Sequence, residues 1–333
     1  MKLKITNFNN YFYLAHNING DIMILRLGYV AISKTIEITS SKTITYTNFI
    51  KDYNYNKLYE IIEENLNNLE EIIKYNIKNN IHFYRLTSKL IPLATHNSVI
   101  YDYITPFKDK FNKIGSLINK YKIRVDVHPD QYNVLNSVSK EIVNNTIKSL
   151  EYHYKILDAL NIKNKIIILH IGGNTFGKDK SISRFINNFN KLPDYLKKCI
   201  AIENDDKIFN IMDCLYISNI LNVKIVLDYH HYICNNNGEL IEDYIKDIFS
   251  TWKNNTPKIH FSSPKSKLKS EFRSHHDYIN YLDFINFLNK IKFINTNFDV
   301  MIEAKAKDEA LFKLVRQLKY NNYIFIDDTS FTV

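Results

Sequence analysis

Residues 200–231 read IAIENDD-KIFNIMDCLYISNILNV-KIVLDYHH, and this stretch decides the fold. A short apolar run ends in an acid, a helical segment follows, and a second run ends in another acid and two histidines. Such a unit is strand–helix–strand, with metal-type ligands at both strand ends. Working outward, the same kind of run recurs as LRLGYV (25–30), HFYRLTS (82–88), IRVDVHPDQY (123–132), IIILHIGGN (166–174), PKIHFSS (257–263) and DVMIEAKAK (299–307). Eight strand-like runs alternating with helical stretches predict a single (β/α)8 TIM barrel. Its strands fall at about 22–30, 82–86, 123–127, 166–170, 200–203, 224–228, 258–261 and 299–303. Helices are expected near 57–80, 107–121, 140–160, 181–198, 209–221, 239–252, 276–291 and 308–320. No boundary interrupts the series, so residues 22–320 read as one domain. Residues 1–21 form a short N-terminal extension, and the apolar tail 321–333 is expected to pack on the barrel.

Composition narrows the class. Hydrophobic residues make up 45% of the chain, enough for a sizeable core. The cysteines Cys199, Cys214 and Cys234 lack metal-ligand spacing, and their odd number gives no disulfide framework. Both features suggest a reduced, cytoplasmic protein. No run is long enough to span a membrane, and the first twenty residues lack a signal-peptide core. A net charge of +9 permits an anionic partner. There is neither a P-loop nor a Rossmann fingerprint, so no nucleotide cofactor is expected.

In a TIM barrel the chemistry sits at the C-terminal ends of the strands. There the sequence supplies His128, His170, Glu203, Asp228, His231, His260 and Glu303, with His96 in the loop after the second strand. Any one histidine is ordinarily structural, as His16, His82 and His153 are taken to be. Ligand-type residues ending five successive strands are a metal site. Imidazole with carboxylate suits Mn²⁺, Zn²⁺ or Fe²⁺. Eight groups exceed what one ion uses, so two or three ions sharing carboxylates are expected, as in sites that clamp a phosphodiester. Lys258 lies two residues before His260 on one strand face, where an ammonium beside cations is unfavourable. It is therefore neutral, converted to a carbamate, or out of register. Gln131 and Tyr132, after the strand-ending Pro129, offer an amide and a ring to nucleic-acid bases. Gly172 and Gly173 let the backbone pass close to a metal or ligand. Lys265, Lys267, Lys269 and Arg273 form a basic loop beside the site.

The segments GYVAISK (28–34), YRLTSKLIPLATH (84–96), VDVHPDQY (125–132), LHIGGN (169–174), IENDD (202–206), DYHH (228–231), PKIHFSS, RSHHDYI (273–279) and MIEAKAK (301–307) resemble the UV damage endonucleases. The resemblance implies an endonuclease IV-like TIM barrel with a manganese cluster, acting on damaged double-stranded DNA. It implies a nick immediately 5′ to cyclobutane pyrimidine dimers and 6-4 photoproducts, leaving 3′-hydroxyl and 5′-phosphate ends. It carries over the metal set named above, with Glu203, Lys258, His231 and Glu303 catalytic and Lys258 carboxylated. It also implies lesion or DNA contacts for Tyr29, Gln131, Tyr132 and His275; Ser33 stands where some relatives carry Asn. A monomer is expected. Three other readings share parts of this pattern: an apurinic endonuclease, a sugar isomerase on the same barrel, and a non-catalytic damage-binding protein.

Overall fold

The computed structural model describes residues 22–52 and 54–333; the expected extension, 1–21, lies outside the described residues. The strands are β1 (Ile24–Val30), β2 (Phe83–Arg85), β3 (Arg124–Asp126), β4 (Ile167–His170), β5 (Ile200–Glu203), β6 (Lys224–Asp228), β7 (Lys258–Phe261) and β8 (Phe298–Ile302). They pair in parallel in the order β3-β2-β1-β8-β7-β6-β5-β4. A parallel bridge between Val127 and Ile167 joins β3 to β4 and closes the ring. The protein is a (β/α)8 TIM barrel.

A short β9 (Ser330–Thr332) lies antiparallel on β1. It pairs with Ile24, Leu25 and Arg26, whereas β2 pairs with Gly28, Tyr29 and Val30. The tail thus covers the half of the β1 edge that β2 leaves open, where unpaired backbone donors would otherwise sit.

The helices are α1 (Tyr46–Asp52), α2 (Tyr55–Lys78), α3 (Lys108–Lys120), α4 (Lys140–Ala159), α5 (Lys178–Asn190), α6 (Asp194–Lys197), α7 (Ile211–Leu221), α8 (Tyr229–Cys234), α9 (Ile241–Ser250), α10 (Tyr281–Ile291) and α11 (Lys307–Tyr320). The expected helix at 181–198 is split between α5 and α6, because Pro193 has no N–H to continue the first. Helices α1 and α8 were not expected. Each is under two turns long, too short for a periodic signal.

Side-chain alternation divides each strand between two environments. Leu25, Leu27 and Tyr29 of β1 face outward, into the apolar layer that holds Ile62, Leu66 and Leu69 of α2. The inward residues fill the barrel in two halves. Toward β4–β6 the filling is apolar: Ile166, Ile168, Ala201, Val226 and Trp252, whose indole N–H donates to the Ile225 carbonyl at 2.7 Å. Toward β1–β3 and β7–β8 it is ionic. At the base, Asp299 accepts two bonds from Arg26 at 2.6 and 2.8 Å and one from Arg124 at 2.7 Å. Above it, Lys258 donates to Asp126. Higher still, Arg85 Nη1 donates to Glu303 at 2.6 Å, at the level of the candidate ligands. Each charge has an opposite neighbour within the barrel.

Asp299 is fully buried between two guanidinium groups. Asp299→Ala leaves both without their partner, which costs ~3–5 kcal/mol of stability. Urea unfolding measures it; a loss under about 1 kcal/mol would show that the pair is not a structural element.

Candidate metal centre

The C-terminal rim is built around Glu203, the last residue of β5 and 1% exposed. Parallel register sets His170 beside Glu203 and His260 beside Asp228. Asp228 ends β6 and at once caps α8, its Oδ1 accepting from His231 N at 2.8 Å. A cap bonded to the third residue of its helix brings that residue's side chain to the strand end. This is why Asp228 and His231, three apart, share one site. Asn204 locks the arrangement: its amide donates to the Asp228 carbonyl at 3.0 Å and accepts from Asp228 N at 2.9 Å.

The ring orientations follow from their backbone partners. His128 Nδ1 lies 2.9 Å from the Pro129 carbonyl, and His231 Nδ1 lies 3.0 Å from the Asn204 carbonyl. A carbonyl only accepts, so Nδ1 carries a proton in both rings, and Nε2 is the nitrogen a cation would take once any proton on it is displaced. His128 Nε2 stands 2.8 Å from Glu203 Oε2, and His170 Nε2 stands 3.8 Å from the same oxygen. His260 Nδ1 is 2.9 Å from Glu203 Oε1 and 3.2 Å from Glu303 Oε1. Its Nε2 accepts from Arg85 Nη2 at 2.6 Å.

Three ligand sets come together: His128, His170 and Glu203; Glu203, Asp228 and His231; Asp228, His260 and Glu303. In each, the ligand atoms lie within 4.8 Å of one another. Glu203 and Asp228 each belong to two sets, as bridging carboxylates do. Asp228 Oδ2 and His170 Nδ1 are buried without a hydrogen-bond partner. Buried polar atoms are normally satisfied, so these orphans fit ligands that a cation would complete.

Electrostatics agree. Burial raises the Asp228 carboxyl to about 7, with Glu203 and Glu303 adding to the rise and His231 opposing it. Burial also works against charge on His231, yet Asp228, Glu203 and Glu303 lift it to about 9. Burial lowers His260 to about 4 against the pull of Glu203 and Glu303. Glu203 is pushed upward by burial, but His260, His170 and His128 hold it well below the usual carboxylate range.

Against known proteins, the UV-endonuclease UvdE family profile matches residues 25–330. The chain belongs to this family. A UV DNA damage endonuclease of Bacillus cereus is 42% identical over 303 residues, covering 89% of this chain and 95% of its own. The crystal structure of SacUVDE superposes with a TM-score of 0.82 at 34% identity, covering 90% of this chain and 99% of that one. Endonuclease IV from Thermus thermophilus shares the fold, with a TM-score of 0.53 at 11% identity. The protein is therefore an endonuclease of the UV DNA damage type, with DNA as its substrate. No helix among the described residues is long and apolar enough to cross a membrane.

Within this UV endonuclease, seven of the eight proposed ligands converge; His96 stands apart. It stacks on Tyr46 at 4.0 Å and lines a cavity of about 650 Å³ with Ser88, Asp130 and His153. Gln131 and Tyr132 are exposed, Tyr132 by 80%, in the loop just beyond His128. His275 closes the basic loop by bridging Pro264, its ring 6.2 Å from His231. In that loop Lys267 and Lys269 are exposed, whereas Lys265 is paired with Glu271 and Arg273 lies near Asp206. Lys258 is in the expected register, fully buried against Asp126, and burial lowers its amine to about 7.

Some expectations need correction. Tyr29 is not at a lesion pocket: it is fully buried on the outer strand face, and its hydroxyl donates to Asn76 of α2 at 2.9 Å. Ser33 is likewise buried and donates to Asp308 at 2.6 Å, so it offers no lesion contact. The close approach at Gly172 is to Asn136, whose Oδ1 would lie 2.2 Å from an added Cβ. The Asn136 amide donates to the Gly173 carbonyl at 2.6 Å and fixes the loop after His170. His82 and His153 are structural, bonded to Asp327 and to the Ser149 carbonyl; His16 lies outside the described residues.

Sequence reasoning missed Arg85, Asp126 and Asn204. Arg85 and Asp126 alternate with apolar residues at strand ends, in the inward register of the ligands, and that alternation was the available signal; Asn204 directly follows Glu203 at the opposite parity and carried no such signal. Arg and Asn are not metal ligands, so an inventory by ligand type passes over them.

The perturbed pair predicts linkage. Metal-free Asp228 and His231 hold protons up to about 7 and about 9, and a cation must displace them. Affinity for Mn²⁺ should rise as pH climbs through that window, with protons released on binding. Calorimetry in buffers of different ionisation enthalpy measures both; an affinity flat with pH would contradict it.

Proposed function

We propose that this endonuclease nicks the phosphodiester immediately 5′ to UV photoproducts, cyclobutane pyrimidine dimers and 6-4 photoproducts, using two or three divalent cations, Mn²⁺ foremost. The observation that carries the reading is the Glu203-centred set of overlapping ligand groups at the barrel rim of a UV-endonuclease family member. His128, His170, Glu203, Asp228, His231, His260 and Glu303 would hold the ions, with His96 an eighth ligand if its loop closes. Such ions would supply Lewis acidity, lowering the pKa of water and neutralising charge on the phosphate.

The chain's own groups arrange the rest. Glu203 orients the four imidazoles around it. Asn204 fixes Asp228, and Arg85 fixes Glu303 and His260. Water oxygen bonds to phosphorus and the P–O3′ bond breaks. The 3′-oxygen leaves and takes up a proton, giving 3′-hydroxyl and 5′-phosphate ends. The exposed Lys267 and Lys269, with His275 at the rim, contact backbone phosphates. Gln131 and Tyr132 fill the gap left when the damaged dinucleotide leaves the stack. Extrusion costs less where damage already weakens pairing, which favours lesions. Lys258, whose amine is partly neutral near pH 7, is a candidate for reaction with CO₂ to give a carbamate and a proton. The enzyme would act on genomic DNA in the cytoplasm as a monomer, with no nucleotide cofactor.

End-labelled duplexes carrying one thymine dimer, one abasic site or no lesion test this in Mn²⁺. A single nick 5′ to the dimer is expected; cleavage confined to the abasic duplex would favour an apurinic endonuclease. Glu203→Gln should abolish nicking while damaged-duplex binding persists, and unchanged nicking would remove Glu203 from the mechanism. Tyr132→Ala, at an exposed position, should reduce discrimination between damaged and intact duplex by roughly 5–150-fold, the worth of one stacked base. Unaltered discrimination would show that the ring does not probe the helix.

A further inference from the structure

The face of the barrel opposite the metal centre carries a second concentration of charge. Two adjoining cavities open there, of about 530 and 250 Å³, sharing Lys163, Asn164, Ile166 and Asn255 in their walls. Arg26, Lys122, Arg124 and Lys163 line the larger; Lys163, Lys165, Lys198 and Lys224 line the smaller. No Asp or Glu lines either one. The position is fixed by topology: Arg124 and Lys224 are the first residues of β3 and β6, at the strand ends away from Glu203.

Some of this charge is already matched. Arg26 and Arg124 bind Asp299 behind the cavity wall, and Lys165 lies 3.1 Å from Asp158. Lys122, Lys163, Lys198 and Lys224 form no ion pair among the described residues. Crowding is visible on Lys224: burial, then the neighbouring Lys253 and Arg124, lower its amine. Like charges gathered in a concave, half-enclosed site raise the local potential and favour an anion. Ile118, Ile162 and Trp252 also border the larger cavity, nearly or fully buried behind its polar lining. A volume of 530 Å³ is typical of sites for small organic molecules, which run ~300–1,000 Å³.

We propose that this basal double cavity binds a phosphate-bearing anion of nucleotide size, its phosphates on Lys122, Lys163, Lys198 and Lys224. The lysine side chains supply the contacts, and no glycine-rich loop takes part. A small ligand fits better than duplex DNA, because the cations gather around two half-open cavities of about 530 and 250 Å³ and not along a continuous groove.

Trp252 makes the test specific. It is the one tryptophan of the chain, it lines the larger cavity, and Arg124 lies 5.0 Å over its ring. The metal centre has no tryptophan, so intrinsic fluorescence reports the base and not the rim. The full-length chain, kept in a chelator so that phosphates meet no metal, is titrated separately with tripolyphosphate and with ATP. A saturable change in Trp252 emission is expected with both. Tighter binding of ATP would mean that the nucleoside adds contacts of its own; equal binding would mean that phosphates alone are read. The combined variant Lys122→Gln, Lys163→Gln, Lys198→Gln alters only exposed positions. It should weaken binding by about tenfold or more, with circular dichroism and nicking unchanged. No saturable change, or an affinity equal in the variant, overturns the proposal. If a short undamaged duplex produces the same variant-sensitive change more tightly than tripolyphosphate, the base is a second DNA surface and the small-anion assignment fails.

Discussion

The structure depends on keeping a negative charge, Glu203, at the top of a closed barrel where water barely reaches. An ionised carboxylate in such a place costs several kcal/mol unless opposite charge or hydrogen bonds surround it. Here four imidazoles do so, from β4, from β7, and from the loop and short helix that follow β3 and β6. The need to satisfy one buried carboxylate therefore sets the positions of the other ligands. Imidazole–carboxylate contacts of this kind are also what a divalent cation replaces. The groups that stabilise the metal-free protein are those that would receive the ions.

Below this centre the ionic half of the barrel continues the same logic. Glu303 meets Arg85, Asp126 meets Lys258, and Asp299 meets Arg26 and Arg124. Paired buried charges of good geometry have few alternative arrangements, whereas apolar side chains tolerate many. Arg85 links the two levels: it holds Glu303 and His260 above, and its Nε lies 3.6 Å from Asp126 below. The apolar half around Trp252 and Ile168 provides the packing that a wholly ionic interior would lack.

Much of this was legible in the sequence for a definite reason. Strand alternation and a ligand at each strand end are both local signals, so IAIE, KIVLD and KIHF could be placed to the residue. The resemblance to UV damage endonucleases, spread over nine segments, set the family. What escaped depends on contacts distant in sequence. Arg85 matters because β8 brings Glu303 to it, and β9 exists because β2 is too short to cover β1. Tyr29 misled for the opposite reason. It lies in a family segment, but the pleat of β1 turns it away from the lumen toward α2. Motif proximity does not say which face a side chain takes.

The central claim, that Glu203 is the shared carboxylate of a multi-ion cluster, is tested most directly by anomalous diffraction at the manganese edge from crystals grown with Mn²⁺. Two or three peaks are expected at the rim, with Glu203 coordinating at least one and Asp228 or Glu303 another. A single peak away from Glu203, or none within coordination distance of it, would show that Glu203 is not the shared carboxylate.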